Sequence, residues 1–332
     1  MSLQAGKETI YNTRFQKSIE GLGQPDWLIE LRKKAFEYFT ENGFPTIKDE
    51  EWKYTDVKEI ADTNWAESSA TADGLSEETE KLLAEIDIET GNRVVFIDGV
   101  LNSELSNLSE LATGVKVLSF AEAYEDETFK ANLSKTVEFD FNGFVALNTA
   151  FTEQGVFIHV PKNTKIEDPI HIIFLGESES ANFTRILFVG ETGSEAEIIE
   201  NYRRISEVKY LTNAVVEINL ADNAKLLHTR VQRESHSAFH IVTANTNLGR
   251  TGVYDNTNIT LGGKFSRHDV DLSFNGEGGE AWIDGLYLVE DGQHTDTHSR
   301  LDHRVKNCNS HQNYKGILDG KSRAVFNGKV YV

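Results

Sequence analysis

The chain of 332 residues contains a single cysteine, Cys308, and this scarcity excludes several kinds of site. One thiol cannot form an internal disulfide, and one chain with one thiol cannot build a cysteine-ligated zinc site or iron–sulfur cluster. Because an isolated cysteine is most often a small core residue, we interpret Cys308 as structural, with a ligand or nucleophile role as the alternative.

Long apolar runs and an excess of positive charge are also lacking. No stretch approaches 18 consecutive apolar residues, and the N-terminus has no apolar signal region, so we expect neither membrane insertion nor secretion. The formal net charge of −20 would repel nucleic acid and anionic lipid. The sequence therefore predicts a cytoplasmic protein with neither kind of partner.

A recurrence with a period of about 28 residues, within the range of solenoid repeats, dominates the second half of the sequence. Turn-forming clusters run into small residues whose first spacings are nearly equal, namely Ala196, Ala224, Gly252, Ala281 and Ala324. Half of this period, about 14 residues, holds one strand and a corner but no crossover helix. The pattern predicts a mainly β fold, a parallel β-helix of stacked coils, with an ordinary β-sandwich as the alternative.

Core-sized side chains stand two positions after each small residue. The recurrence predicts that they are buried at equivalent heights in successive coils: Ile198, Leu226, Tyr254, Ile283 and Phe326. The half-turns between these coils repeat less strictly, and in them Phe183, Leu211 and Phe239 follow one position after the turn marker.

Residues 1–145 are predicted to form an α/β cap on the first coil, and residues 146–332 the β-helix core. Apolar residues recur at intervals of three and four between Pro25 and Gly43, which predicts an amphipathic helix. Two more helices are predicted, one capped by Ser76 and one from Ser119 through Phe129. The remaining expectations are strands at 93–97 and 115–118 and a mobile linker at 68–74.

The sequence ends at Val332, directly after an apolar strand pattern at 324–332. An open coil edge invites strand pairing. We expect either a truncated chain or a last coil covered by a partner, with a homodimer through the C-terminal coils as one form of such pairing.

The best candidates for chemistry are His294, Asp296 and His298. Alternation along a strand places them on one face, and two imidazoles with a carboxylate are suitable ligands for zinc or ferrous iron. Same-face neighbours stand about 7 Å apart, which is wide for one ion. A polar ladder that solvates the sheet face remains the alternative interpretation.

A second candidate set contains four acids on neighbouring coils, Asp255, Asp269, Asp271 and Asp284. They could imitate the carboxylates of a β-helix carbohydrate-active enzyme, or form a solvated acidic face. The sequence has no phosphate-binding G-x-x-x-x-G-K loop, no G-x-S-x-G elbow and no H-E-x-x-H motif. It therefore predicts a protein that is not an enzyme.

Short motifs in both halves point to a family. The N-terminal ones are Pro25-Asp-Trp-Leu, Arg32, Phe36, Gly43-Phe-Pro-Thr and Glu51-Trp-Lys-Tyr-Thr. The others are Asn148-Thr-Ala-Phe, Gly155, Ile158-His-Val-Pro, Asp296-Thr, His303, Cys308-Asn-Ser-His-Gln, Lys315 and Ser322-Arg-Ala-Val-Phe-Asn-Gly. Together they resemble the SufB/SufD family of the Suf iron–sulfur cluster assembly machinery, and the Trp-Lys-Tyr-Thr element resembles its SufD branch.

The resemblance implies a right-handed parallel β-helix flanked by helical subdomains, in a non-catalytic scaffold subunit. Its implied partners are a SufB-like paralogue and a SufC-type ABC ATPase. It implies no cofactor on the isolated chain, and a transient iron or Fe–S cluster at the SufB interface. It also implies a C-terminal helical subdomain, which we expect this sequence to lack. A β-helix carbohydrate-active enzyme and a cupin-like metal-binding protein are the alternative functions.

Overall fold

The structure, a computed structural model, describes residues 10–20, 23–68, 77–86, 92–108 and 111–332. The helices are α1 Ile10–Ile19, α2 Asp26–Asn42, α3 Lys58–Asp62, α4 Glu77–Ile86, α5 Phe120–Ala123, α6 Glu127–Asn132 and α7 Gly143–Ala150, with a 3-10 turn at Glu50–Trp52. The strands are β1 Arg93–Ile97, β2 Val100–Asn107, β3 Lys116–Ser119, β4 Gln154–Val160, β5 Ile170–Gly176, β6 Ala181–Gly190, β7 Glu195–Arg204, β8 Leu211–Leu220, β9 Lys225–Arg233, β10 Phe239–Leu248, β11 Val253–Thr260, β12 Phe265–Phe274, β13 Glu280–Val289, β14 His294–His303, β15 Asn309–Leu318 and β16 Arg323–Tyr331.

Two eight-stranded sheets form the solenoid, and consecutive strands alternate between them. The odd sheet has the order β15-β13-β11-β9-β7-β5-β1-β2, and the even sheet the order β16-β14-β12-β10-β8-β6-β4-β3. From β4 onward each strand pairs in parallel with the strand two places later in the chain. The predicted β-solenoid is confirmed.

The core lies between the two sheets, where alternate residues of each strand point inward. Ile198 and Leu226 of the odd sheet and Val216 and Val270 of the even sheet belong to one buried cluster. Period-two burial is visible along β7 and β11, whose intervening residues are only partly buried. Stacked coils thus share one continuous apolar interior.

The predicted single column of core residues is wrong in register. Leu226 pairs with Tyr254, and Tyr254 pairs with Ala281. Ile198 instead pairs with His228, which pairs with Asn256, and Asn256 pairs with Ile283. Ile198 and Ile283 therefore share one column of register partners, and Leu226 and Tyr254 belong to another. The reason is that coils differ in length: the step along the chain from Ala196 to its register partner Leu226 is longer than the step from Tyr254 to Ala281.

Burial follows the prediction for four of the five residues. Ile198, Leu226, Tyr254 and Ile283 are at most 1% exposed, but Phe326 is 43% exposed. Phe326 lies on β16, the last strand of the even sheet, and its register partner is Thr297. Within the described chain no further coil covers this strand, so Phe326 lacks the neighbour that would bury it.

The helical region packs along the flank of the even sheet, not only on the first coil as predicted. One buried cluster joins Tyr11, Phe36 and Trp52 to even-sheet residues that point away from the solenoid interior, among them Phe183, Leu211, Phe239, Ile241 and Phe265. These residues explain why β6, β8 and β10 are buried almost throughout. The predicted division at residue 145 falls inside α7, and β1 to β3 extend both sheets.

The structure confirms some of the local predictions for the N-terminal region and corrects others. Helix α2 and its Gly43 C-cap confirm the amphipathic helix. The predicted helix from Ser119 through Phe129 is wrong as a single element, because Ser119 caps α5 through a capping box with Glu122 and Asp126 caps a separate helix, α6. Ser76 and most of the predicted linker lie outside the described residues. No helix among the described residues has the length and apolar content needed to cross a membrane.

Candidate functional site

Strand β14 brings the three candidate ligands, His294, Asp296 and His298, into one polar cluster. Nε2 of His298 lies 3.0 Å from Oδ1 of Asp296, and Nε2 of His294 lies 3.3 Å from the Thr55 hydroxyl. The Thr55 hydroxyl also donates a hydrogen bond to Oδ2 of Asp296. The alternation inferred from the sequence is therefore correct, and the N-terminal motif at 51–55 supplies a fourth member.

Arg267 is the centre of this cluster, which we call the Arg267 cluster. Its guanidinium donates to Asp296 at 2.6 Å, to Asp269 at 2.8 Å and to the Glu51 carbonyl at 2.8 Å. Its guanidinium carbon lies 3.8 Å from the centroid of the Trp52 ring. A buried cation thus has two carboxylates and an aromatic face as partners, an arrangement that offsets its desolvation.

The charge states of the Arg267 cluster follow from these contacts. Burial raises the pKa of Asp296, but the hydrogen bond from His298 and the charge of Arg267 outweigh burial and hold that pKa below its usual range. Burial lowers the pKa of His294. Asp296 is therefore ionised at neutral pH and already bonded to Arg267. Among the described residues, no group of three histidine, cysteine, aspartate or glutamate side chains is arranged to hold a metal ion.

The four acids noted in the sequence do not form one cluster. Asp255 and Asp284 lie on the odd sheet, whereas Asp269 and Asp271 lie on the even sheet. Asp271 is paired with Arg300 at 2.8 Å, as Asp269 is with Arg267. The four carboxylates therefore do not lie together on one face where they could flank a single substrate.

Cys308 is half-buried and packs against the solenoid core. Its Sγ lies 3.5 Å from the Gly276 carbonyl and 3.6 Å from the Lys306 carbonyl. The thiol donates hydrogen bonds towards these two carbonyls, and a backbone carbonyl is not a base that can deprotonate it.

A buried anchor that sequence reasoning missed joins Arg185 to Glu217. Their side chains are completely buried and 2.8 Å apart. The Glu217 carboxylate also accepts the backbone N–H groups of residues 134–137 at 2.9 to 3.1 Å. Arg185 in turn donates to Thr149 of the Asn-Thr-Ala-Phe motif at 2.8 Å. The anchor therefore fixes the 134–137 loop and α7 on the even sheet.

A second set of charged residues lies inside the solenoid. His228 is 2.5 Å from Glu200 and 2.8 Å from the Tyr254 hydroxyl, and Arg230 is 3.0 Å from His240. The sequence signal for the first set is a charged residue inside an otherwise apolar strand, Arg185 in β6, and for the second it is charged residues at the inward positions of β7 and β9. That signal marks burial but does not identify the partner.

The solenoid ends at strands β15 and β16, the outermost strands of the two sheets. Exposed apolar side chains concentrate here, with Ile317 at 56%, Leu318 at 48%, Val330 at 57% and Tyr331 at 52% exposure. We call this surface, formed by β15 and β16, the open end. Among the described residues no further strand pairs with β15 or β16 on this side.

Comparison with known proteins identifies the family. Residues 7–172 match the family model described as the SufBD protein N-terminal region, and residues 173–332 match the SufBD core domain of the SUF system for FeS cluster assembly. An iron–sulfur cluster assembly SufBD family protein of Synechocystis is 28% identical over 98% of this chain and 76% of its own length. The iron–sulfur cluster assembly protein SufD of Escherichia coli is 26% identical, over 87% of this chain and 66% of its own.

A SufBD family protein of Staphylococcus aureus is 26% identical over 93% of this chain and 69% of its own length. The chain thus spans about two thirds to three quarters of the length of these relatives. The two family models together cover almost all of the chain. The chain belongs to the SufBD family of iron–sulfur cluster assembly proteins.

Proposed function

We propose that this chain is a non-catalytic, cytoplasmic scaffold subunit in iron–sulfur cluster assembly, which pairs with a SufB-like paralogue and a SufC-type ABC ATPase. Iron and the cluster are cargo in this proposal, held transiently at the interface between subunits. The support is the family match over residues 7–332 together with the geometry of the open end.

The backbone of the open end supports the proposal, because β15 and β16 are the outermost of the described strands in their sheets. Arg323 N–H donates to the preceding coil at 2.9 Å, and Asn309 N–H does so at 3.0 Å. Because backbone direction alternates along a strand, odd-numbered residues of β15 and β16 face the preceding coil and even-numbered residues face outward. A paralogous solenoid with equivalent strands can continue both sheets and cover the exposed apolar side chains.

Co-expression of this chain with a SufB-like chain and a SufC-like chain of one organism tests the proposal. We expect a complex that contains all three proteins in size-exclusion chromatography with light scattering, and no substrate turnover by this chain alone. A chain that remains monomeric beside both proteins, or that forms only a homodimer, contradicts the proposed partners. Turnover of an acidic polysaccharide by the purified chain contradicts the scaffold role.

A further inference from the structure

A polar cavity of about 450 Å³ lies on the outer face of the even sheet, beside the Arg267 cluster. Its walls are the loop at 135–141 and residues of β10, β12, β14 and the turns that follow them. This volume is within the range of about 300 to 1,000 Å³ that is common for small-molecule sites. We call it the loop cavity.

The wall of the loop cavity is fixed by hydrogen bonds. The Thr136 hydroxyl donates to Asn219 at 3.0 Å, and Asn219, Asn247 and Asn275 form a ladder across three coils with steps of 3.0 and 3.1 Å. The Glu217 carboxylate holds the same loop by accepting hydrogen bonds from the backbone N–H groups of Lys135 and Thr136. Because these walls are already fixed, a ligand that binds here pays little free energy for ordering the protein.

Both walls of the loop cavity carry charged side chains. Strand β14 and its following turn contribute Arg300 and Arg304, which are tethered to Asp271 and Asp302 at 2.8 Å. Arg304 also donates to Asn275 in the lining at 3.1 Å. The two arginine side chains remain 44% and 52% exposed, so their remaining N–H groups can bind a planar oxyanion. The loop contributes the exposed carboxylates of Glu138 and Asp140, which have no ion-pair partner among the described residues.

Two acceptors stand next to each other on the sheet wall. Asn245 pairs in register with Asp271, and its Oδ1 has no hydrogen-bond partner among the described residues. Burial raises the pKa of Asp271; the charge of Arg300 opposes this effect, and the nearby carboxylates of Asp269 and Glu51 add to it. The Asn245 amide nitrogen donates to the Thr136 carbonyl at 3.2 Å, so Oδ1 is the atom of this amide that lacks a partner. A ligand with N–H donors would satisfy Oδ1 and Asp271 together.

We propose that the loop cavity binds a small zwitterion of the amino-acid or dipeptide class. Its carboxylate is held by Arg300 and Arg304, and its ammonium group by the carboxylates of the loop and by Asp271. The lining contains three cations, Lys135, Arg300 and Arg304, and three acids, Glu138, Asp140 and Asp271, so a ligand with one charge of each sign finds partners for both. The proposal is independent of the scaffold role, because it rests only on the cavity and its walls.

Isothermal titration calorimetry of the full chain with glycylglycine and with each free L-amino acid tests the site. N-acetylglycylglycine lacks the ammonium group and glycylglycinamide lacks the carboxylate, so both serve as matched ligands. The variants are R304Q and D140N in the cavity and R250Q as the control. Arg250 is also an exposed arginine bonded to an aspartate, Asp222, but it lies outside the cavity.

We expect at least one zwitterion to bind, with affinity about tenfold weaker in R304Q and in D140N, which corresponds to one lost charge-assisted hydrogen bond. R250Q is expected to bind as the parent does, and both blocked dipeptides to bind at least tenfold more weakly. No heat of binding with any zwitterion up to roughly 10 mM overturns the proposal. Equal loss in R250Q, or equal binding of the blocked dipeptides, overturns it as well.

Discussion

Arg185 and Glu217 form an ion pair in which neither side chain is exposed to solvent. Burying two charges is costly, and here the cost is offset because the carboxylate also accepts backbone N–H groups from residues 134–137. Since the same loop forms one wall of the loop cavity, this single pair links the stability of the even sheet to the shape of a proposed binding site.

Substituting Glu217 with glutamine is expected to destabilise the protein by about 3 to 5 kcal/mol, because Arg185 is left buried without its counter-charge. Glu195→Gln is the control, since Glu195 and its partner Lys225 are both over 40% exposed and such pairs contribute at most about 1 kcal/mol. The free energies of unfolding in urea give the comparison. Equal effects of the two substitutions would show that the anchor has no special role.

Leu226→Ala is expected to cost about 2 to 5 kcal/mol, because the side chain is fully buried between the sheets and its removal leaves a cavity. Its neighbour Leu227 points to the opposite face and is 46% exposed. Leu227→Ala is therefore expected to cost less than about 1 kcal/mol. Urea unfolding of both variants measures the difference, and a larger loss for Leu227 contradicts the observed register.

The pH dependence of stability should contain a contribution from Asp271. Burial raises the pKa of Asp271 to about 7 from 3.8, so the folded state binds this proton more tightly than the unfolded state. Its contribution is fully present below pH 3.8 and is lost as pH rises towards 7. In Asp271→Asn this loss should be absent, so the stability difference between pH 5 and pH 8 shrinks. Identical differences in both proteins would contradict the raised pKa.

If the proposed pairing with a SufB-like chain uses the open end, Val330→Pro weakens it, because this substitution removes an outward N–H donor from β16. Val330→Thr keeps the donor and the β-branched shape, so it is the matched control. Sedimentation velocity of each variant mixed with the partner measures binding. If proline and threonine have the same effect, backbone pairing at β16 does not hold the complex together.

The solenoid could be predicted from the sequence because its recurrence of turns and small residues is a local property. Burial of Leu226 and Tyr254 followed from the same pattern. Their register did not, since successive coils differ slightly in length and each difference shifts the column that a side chain joins.

The Arg267 cluster could be predicted only in part. Alternation along a strand placed Asp296 and His298 on one face, as observed. Arg267 and Trp52 gave no comparable signal, because their contact is set by how the N-terminal region lies on the even sheet. Charged residues at buried strand positions indicate such contacts, but only the fold identifies the partner.

The contact between Thr55 and Asp296 joins residues separated by 241 positions in the chain. During synthesis the segment at 51–55 leaves the ribosome long before β12, β14 and β16, the strands that hold it through Arg267, Asp296 and Lys329. The coils can form one after another as they emerge, and Trp52 can pack early against Phe144. The contacts of this segment with β12, β14 and β16 must wait for those strands, so they form later and join an early-made part of the nascent chain to a part made much later.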